Sequence, residues 1–271
     1  MLQCGSCWGL ICRCITENSR SDLQLEARMT TDHDWLTLHH VKFNGVVDGA
    51  NNPLPKPEKA DLWRFSPEGL PVEADGSRVC ANDAWGGFAL YKSRDDAQAV
   101  FDAPEEHLPF LDQAVESWHA LVIPYAHRGT SGWRETLQDE DAISVAPADP
   151  KGPLVVLTSA GYFDPGPEDA DRMYKFMVGI DDVLEYYGSL PGNIRRGLYS
   201  GGAVDGRDGC TMSIWQDDKA MMAGAYKNGV HKTQMDRSQG GTMFDYSSFT
   251  RGRIVASKGA WDGADPVAEI A

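Results

Sequence analysis

His231 closes a stretch in which Ala220, Ala223, Gly224 and Ala225 recur at short intervals, and Gly229 stands just ahead of it. Small side chains on a helix let a flat molecule approach the backbone, and a glycine before the histidine interrupts the helix and presents the ring. An imidazole suits iron, and a porphyrin-bound iron needs one axial side chain held on a firm element. On that reading Gly224 and Tyr226 join His231 as contacts of the bound group. A second reading uses the same residues differently: alanine and glycine let a helix lie close on a sheet, and His231 is a surface or capping residue. Residue types alone leave both open.

A pocket facing such a ligand also needs a polar group to hold oxygen or a substrate heteroatom. Ser159, in Thr158-Ser159-Ala160-Gly161, ends a strand-like run and is one candidate; ordinary strand-end hydrogen bonding is the other use for it. Arg195 and Arg196 begin another strand-like run, so alternation turns one of them inward, where it meets an acidic group of the ligand or a polar substrate. A surface ion pair is the alternative. His107 follows Pro104-Glu105-Glu106, which reads as a solvated helix start. His39 and His40 adjoin on a strand-like run and therefore face opposite sides, one of them buried. His119 and His127 have no evident partner. Nucleotide, nicotinamide, serine-hydrolase and zinc-protease readings lose their support, because the chain has no Gly-x-Gly-x-x-Gly after a strand, no Walker loop, no Gly-x-Ser-x-Gly and no His-Glu-x-x-His.

The elements that position these residues are clearest in the C-terminal half. Leu154–Thr158 is a short aliphatic, β-branched run of the kind that makes a buried strand. After Pro165-Gly166-Pro167, apolar residues from Met173 to Tyr187 recur at helical spacing and predict a helix to about Gly188. Residues 194–204 and 210–215 predict a hairpin around Asp205–Gly209, a helix follows from Asp217, and Phe249–Ser257 alternates as a closing strand. The order is βαββαβ, a ferredoxin-like arrangement. The N-terminal half repeats part of it: Trp85–Ala97 parallels Cys210–Ala220, His107 falls about where His231 falls, and Trp118–Ile123 resembles the closing strand. Trp35–Phe43 would be its opening strand. Residues 45–71, rich in Gly, Asn and Pro, show no helical period, so the first helix is expected to be missing and replaced by an irregular excursion.

The chain has 271 residues, 42% hydrophobic and 24% charged, with a formal net charge of −15. That charge disfavours nucleic acid and anionic lipid, and no apolar run is long enough for a membrane span. Cys4, Cys7, Cys12 and Cys14 crowd the leader, while Cys80 and Cys210 stand alone; a cysteine-poor body fits a reducing, cytoplasmic setting. Four thiolates are able to hold zinc, but the spacing lacks the long separation of usual zinc modules. Met29 with Thr30-Thr31-Asp32 looks like a natural start, so residues 1–28 are expected to be a disordered leader.

The run Ser213-Ile214-Trp215-Gln216-Asp217-Asp218-Lys219-Ala220-Met221-Met222-Ala223-Gly224-Ala225-Tyr226-Lys227-Asn228-Gly229-Val230-His231 resembles the spheroidene monooxygenase family, as do Gly152–Thr158 and Gly259–Gly263. The resemblance spans roughly Trp85 to Gly263. It implies a haem-containing relative of the dimeric α/β barrel proteins, a group that includes the aldoxime dehydratases, and it tips His231 toward iron. Ser159 falls roughly where aldoxime dehydratases carry a catalytic serine. The expected fold is α+β, two tandem ferredoxin-like halves closing an intramolecular dimeric α/β barrel. Its parts are a degenerate half over 29–126, a linker over 127–153, a haem-bearing half over 154–263 and a tail over 264–271. The expected activity is oxygen insertion into a hydrophobic or medium-sized organic substrate with haem b on His231. The alternatives are aldoxime dehydration and a haem-free binding module. An electron donor and a second copy of the chain complete the expected partners.

Overall fold

The computed structural model describes residues 33–48, 54–69, 72, 81–131, 143–200, 208–226, 229–233 and 243–270. The leader, with its four cysteines, lies outside the described residues. Among the described residues eight strands form one antiparallel sheet: β1 (Trp35–Asp48), β2 (Leu62–Pro67), β3 (Ala81–Tyr91), β4 (Ala114–Gly129), β5 (Leu154–Gly161), β6 (Asn193–Ser200), β7 (Asp208–Trp215) and β8 (Tyr246–Gly259). Three longer helices join them: α1 (Arg94–Asp102), α2 (Ala170–Gly188) and α3 (Asp218–Tyr226).

The spatial order is β2-β3-β1-β4-β8-β5-β7-β6. Each run of four strands therefore takes the same order, fourth beside first beside third beside second, and the two runs meet through the long β4–β8 pairing, Trp118 opposite Gly259 to Gly129 opposite Ser248. The sheet curls until its outer strands approach: Glu68 just past β2 bridges Tyr199 of β6, and the Gly69 N–H donates to the Leu198 carbonyl at 2.7 Å. Curling protects edges that would otherwise offer unpaired backbone groups.

Strand alternation sorts the side chains into two layers. Leu36, Leu38, Phe88, Trp118, Leu157 and Met212, with others from the same strands, fill the concave interior. Trp261 packs on this cluster, and its indole stacks on His40 with ring centroids 4.3 Å apart. The outer face of the first half is covered by α1 and by aromatic residues around Trp63, Phe65, Trp85 and Phe110. Ser93 caps α1 by accepting from the Asp96 N–H, with Asp95 and Asp96 in the first turn, where the helix dipole favours acids.

Two expectations need correction. Residues 45–71 are not wholly irregular, because Leu62–Pro67 forms β2 and pairs along β3 from Leu62 opposite Leu90 to Pro67 opposite Trp85. β4 continues past 127, the expected start of the linker, to Gly129, whose φ of +86° suits glycine. Residue Ile143 of the expected linker is itself part of the core. Among the described residues between β1 and β3 there is no helix.

Candidate functional site

On the outer face of the second half, the sheet, α2 and α3 enclose a cavity of about 380 Å³. That size lies within the range of small-molecule sites. Register builds the floor. Arg128 stands opposite Phe249, Phe249 opposite Thr158, and Thr158 opposite Thr211, so one row crosses β4, β8, β5 and β7 on the side facing the helix. Val156 and Ser213 make the next row. The roof comes from α2, where Phe176, Ile180, Val183, Leu184 and Tyr187 recur every three or four residues and so share one stripe.

His231 lines the cavity from a helical turn at 230–233. Its Nδ1 lies 2.8 Å from the Ala225 carbonyl. A carbonyl only accepts, so the imidazole N–H is on Nδ1 and Nε2 keeps its lone pair. Burial holds the pKa of His231 below the usual value, opposed in part by that hydrogen bond, and the neutral ring is the form that binds metals. Metal-bound histidines commonly donate their other N–H to a carbonyl in this way. Tyr187 lies 5.6 Å from the His231 ring and 4.9 Å from Trp215, between centroids, and Tyr226 lies 6.4 Å from His231. The Trp215 indole N–H is satisfied by Ser213 Oγ at 2.9 Å.

His231 and Tyr226 thus share the cavity wall, and the other sequence candidates do not join them. Gly224 faces away: a Cβ there would meet Leu190 Cδ1 at 2.6 Å and the Trp215 ring at 3.1 Å, so this glycine brings α3 close to the sheet. Ser159 points into the concave interior, fully buried, and donates to the Ser131 carbonyl at 2.7 Å. The side chain that reaches the cavity is Thr158, because neighbours on a strand face opposite ways. Arg195 donates through Nε to the Trp261 carbonyl at 3.1 Å, and Arg196 through Nε to the Leu184 carbonyl at 2.5 Å; both tie down neighbouring segments. His107 ends a single helical turn, Pro104–His107, on the other half.

Of the adjacent pair, both His39 and His40 are buried, rather than one of them. His39 and His119 are hydrogen-bonded to each other through their Nδ1 atoms at 2.8 Å, flanked by Thr37 and Ser117 hydroxyls. Neither partner was evident in sequence, since the contact depends on β1–β4 register. His127 Nδ1 lies 2.8 Å from Thr250 Oγ1. The cavity residues missed at the sequence level are Arg128, Thr158, Thr211 and Tyr187. Tyr187 lay within the helical period, whereas the other three needed the pairing of strands to be placed.

Among the described residues no group of three or more His, Cys, Asp or Glu side chains is placed to hold a metal ion. A lone histidine binds iron firmly only when a macrocycle supplies most of the remaining donors, so the donor set suits haem better than a bare ion. Among the described residues, too, no helix is long and apolar enough to cross a membrane.

No protein-family model matches the chain, and no curated protein matches it. Solved structures do. An aldoxime dehydratase in complex with butyraldoxime superposes with a TM-score of 0.54 at 9% identity, over 89% of this chain and 85% of its own. A second aldoxime dehydratase gives 0.51 at 8% identity, over 84% and 82%. A Fusobacterium nucleatum protein provisionally assigned as a monooxygenase gives 0.37 at 10% identity, over 86% and 97%. At these identities the two aldoxime dehydratases speak for the architecture alone: the chain is a mixed α/β protein whose curled antiparallel sheet is similar to that of the dimeric α/β barrel proteins.

Proposed function

We propose that this chain is a haem-dependent enzyme of the monooxygenase kind, built of two ferredoxin-like halves with a ligand cavity in the second, where His231 would hold the iron of haem b. One observation carries the reading: His231 stands on the wall of the large cavity with Nδ1 committed to the Ala225 carbonyl and Nε2 left as a lone-pair donor. When bound, haem would supply an iron able to activate dioxygen for insertion into a substrate. The chain's own residues do the rest. The Ala225 carbonyl fixes the imidazole tautomer and strengthens it as a donor. Tyr187, itself held edge-on against Trp215, lies against the ring and limits its rotation. The apolar stripe of α2 excludes water and accommodates a hydrophobic substrate, and the Thr158 and Thr211 hydroxyls give the floor hydrogen-bonding capacity.

Two tests apply. Loaded with haem, reduced and supplied with isotopically labelled dioxygen and a panel of apolar substrates, the protein is expected to transfer label into product, and His231→Ala to abolish the transfer. Unlabelled product, or equal labelling by the variant, contradicts the reading. A second reading, aldoxime dehydration, takes support from the same two hydroxyls, which suit a substrate N–OH group. Conversion of an aldoxime to a nitrile, lost in Thr158→Val, would favour it.

A further inference from the structure

We infer that the cavity takes a ligand bearing a carboxylate, received at the mouth by Arg128 and Tyr226. The inference rests on the cavity being the functional site, as proposed above, and adds the class of ligand that fits it. Arg128, near the end of β4, lines the cavity and is exposed, so its guanidinium stands where the cavity meets solvent. Its guanidinium sits 5.4 Å from the centroid of the Phe249 ring, and one of its terminal nitrogens is 3.5 Å from the Tyr226 hydroxyl. No described carboxylate pairs with it. Arg172, Arg195, Arg251 and Arg253, by contrast, each have an acidic partner within ion-pair distance.

The setting sharpens this contrast. The chain carries 40 acidic and 25 basic residues, yet no Asp or Glu occurs among the described residues lining the cavity. A cavity whose described lining carries a guanidinium as its one permanent charge favours an anion and repels a cation. The planar fork of arginine matches both oxygens of a carboxylate, and the Tyr226 O–H is able to donate to one of them. Strand spacing then fixes the rest of the ligand. Phe249 lies one strand from Arg128, Thr158 two and Thr211 three, so at ~4.8 Å per strand the threonine hydroxyls stand roughly 10 and 14 Å from the cation row. A ligand with its acid at Arg128, an apolar body over Phe249 and a hydrogen-bonding group about 10 Å away meets complementary chemistry along its length.

A carboxylate of this kind belongs either to a porphyrin side chain or to a carboxylic-acid substrate. Four probes separate the sources: protoporphyrin IX and its dimethyl ester, and pyrenebutyric acid and its methyl ester, each titrated into the full-length protein by fluorescence. Metal-free porphyrin keeps the measurement independent of His231. The wild type is expected to prefer the acid to the ester for at least one pair. Arg128→Gln is expected to weaken that acid about tenfold, equivalent to ~1.4 kcal/mol, and to leave the ester unchanged, while Arg128→Lys restores part of the loss.

A preference for porphyrin acid alone assigns the carboxylate to the cofactor; one for pyrenebutyric acid alone assigns it to the substrate; either supports the inference. It is overturned if wild type binds acid and ester equally, if Arg128→Gln weakens both alike, or if no probe binds. Haemin bound through His231 without any acid preference would defeat this inference and leave the proposed function standing. Acid preference in a protein that never binds haemin would do the reverse.

Discussion

His231, half-buried, differs from the buried histidines in what its second nitrogen meets. His39 and His119 spend both ring nitrogens on each other and on hydroxyls, and His40 lies against Trp261 in the closed interior. His231 spends Nδ1 on a carbonyl beside an open cavity. The sequence made His231 a candidate by its neighbours, but Gly224 serves packing, and Ser159 misses the cavity by one position. A one-residue step reverses the face of a strand side chain, and nothing in a single aliphatic strand tells which face a second layer covers. Ser159→Ala is therefore expected to destabilise the fold by about 1 kcal/mol, leaving the Ser131 carbonyl without that donor, and to leave ligand binding unchanged. Thr158→Val should have the opposite profile, stable to denaturant but slower in turnover. Urea unfolding and steady-state kinetics on the two variants check this; a reversed pattern would place the serine in the site after all.

Elements carry a second prediction. Tyr91 and Trp215 each stand three residues before a helix, at Arg94 and Asp218, and pair with Trp35 and Leu154. Counting from there, His39 and His119 of the first half occupy the positions of Thr158 and Phe249 in the second. Where one half has a cavity floor, the other has a buried imidazole pair under α1 and Trp63. Burial holds both rings well below the usual histidine value, His119 to about 4 with Lys258 adding to the effect, and His119 lowers His39 further.

The pH consequence has a definite sign. Above about 6.5 the rings are neutral in folded and unfolded chains alike, so the pair imposes no pH dependence. Below that the unfolded chain takes up protons that the folded one refuses, so stability falls as pH falls toward about 4. The slope reaches up to ~1.4 kcal/mol per pH unit for each histidine. Urea midpoints at about pH 7.5 and about pH 5 should show the loss, and the double variant His39→Thr, His119→Phe should flatten it. An unchanged slope in that variant would mean that other groups set the acid limit. The helices and long strands were legible from period and punctuation. β2 was not, because Leu62–Pro67 is short, carries Arg64 and Pro67, and emerges from a glycine- and proline-rich stretch.

The whole molecule is held together by one continuous sheet and a filled interior, with C-terminal residues packed on it. Trp118 donates to Asp265 at 3.0 Å, Ser257 to the same carboxylate at 2.7 Å, and Trp261 lies on both Trp118 and His40. Trp261→Ala should cost about 3–5 kcal/mol, the range for removing a large buried aromatic ring, and lower Tm without changing the acid preference of the cavity on the far face. A loss below about 1 kcal/mol would show that the C-terminal segment is not part of the cooperative unit. Composition spoke against nucleic acid and anionic lipid by its charge, and the repetition read within the chain matches two runs of four strands in the same order. Which half retained a cavity depended on how much space α2 leaves above the sheet, a matter of three-dimensional packing.

All of the chemistry proposed here depends on one imidazole–iron bond, and a haemin titration followed at the Soret band tests it most directly. The wild type should bind one equivalent and give the sharp, shifted band of histidine-ligated haem. His231→Ala should lose that spectrum while keeping the unfolding midpoint of the parent, and added imidazole should restore it. An identical titration and spectrum for wild type and variant would contradict the account.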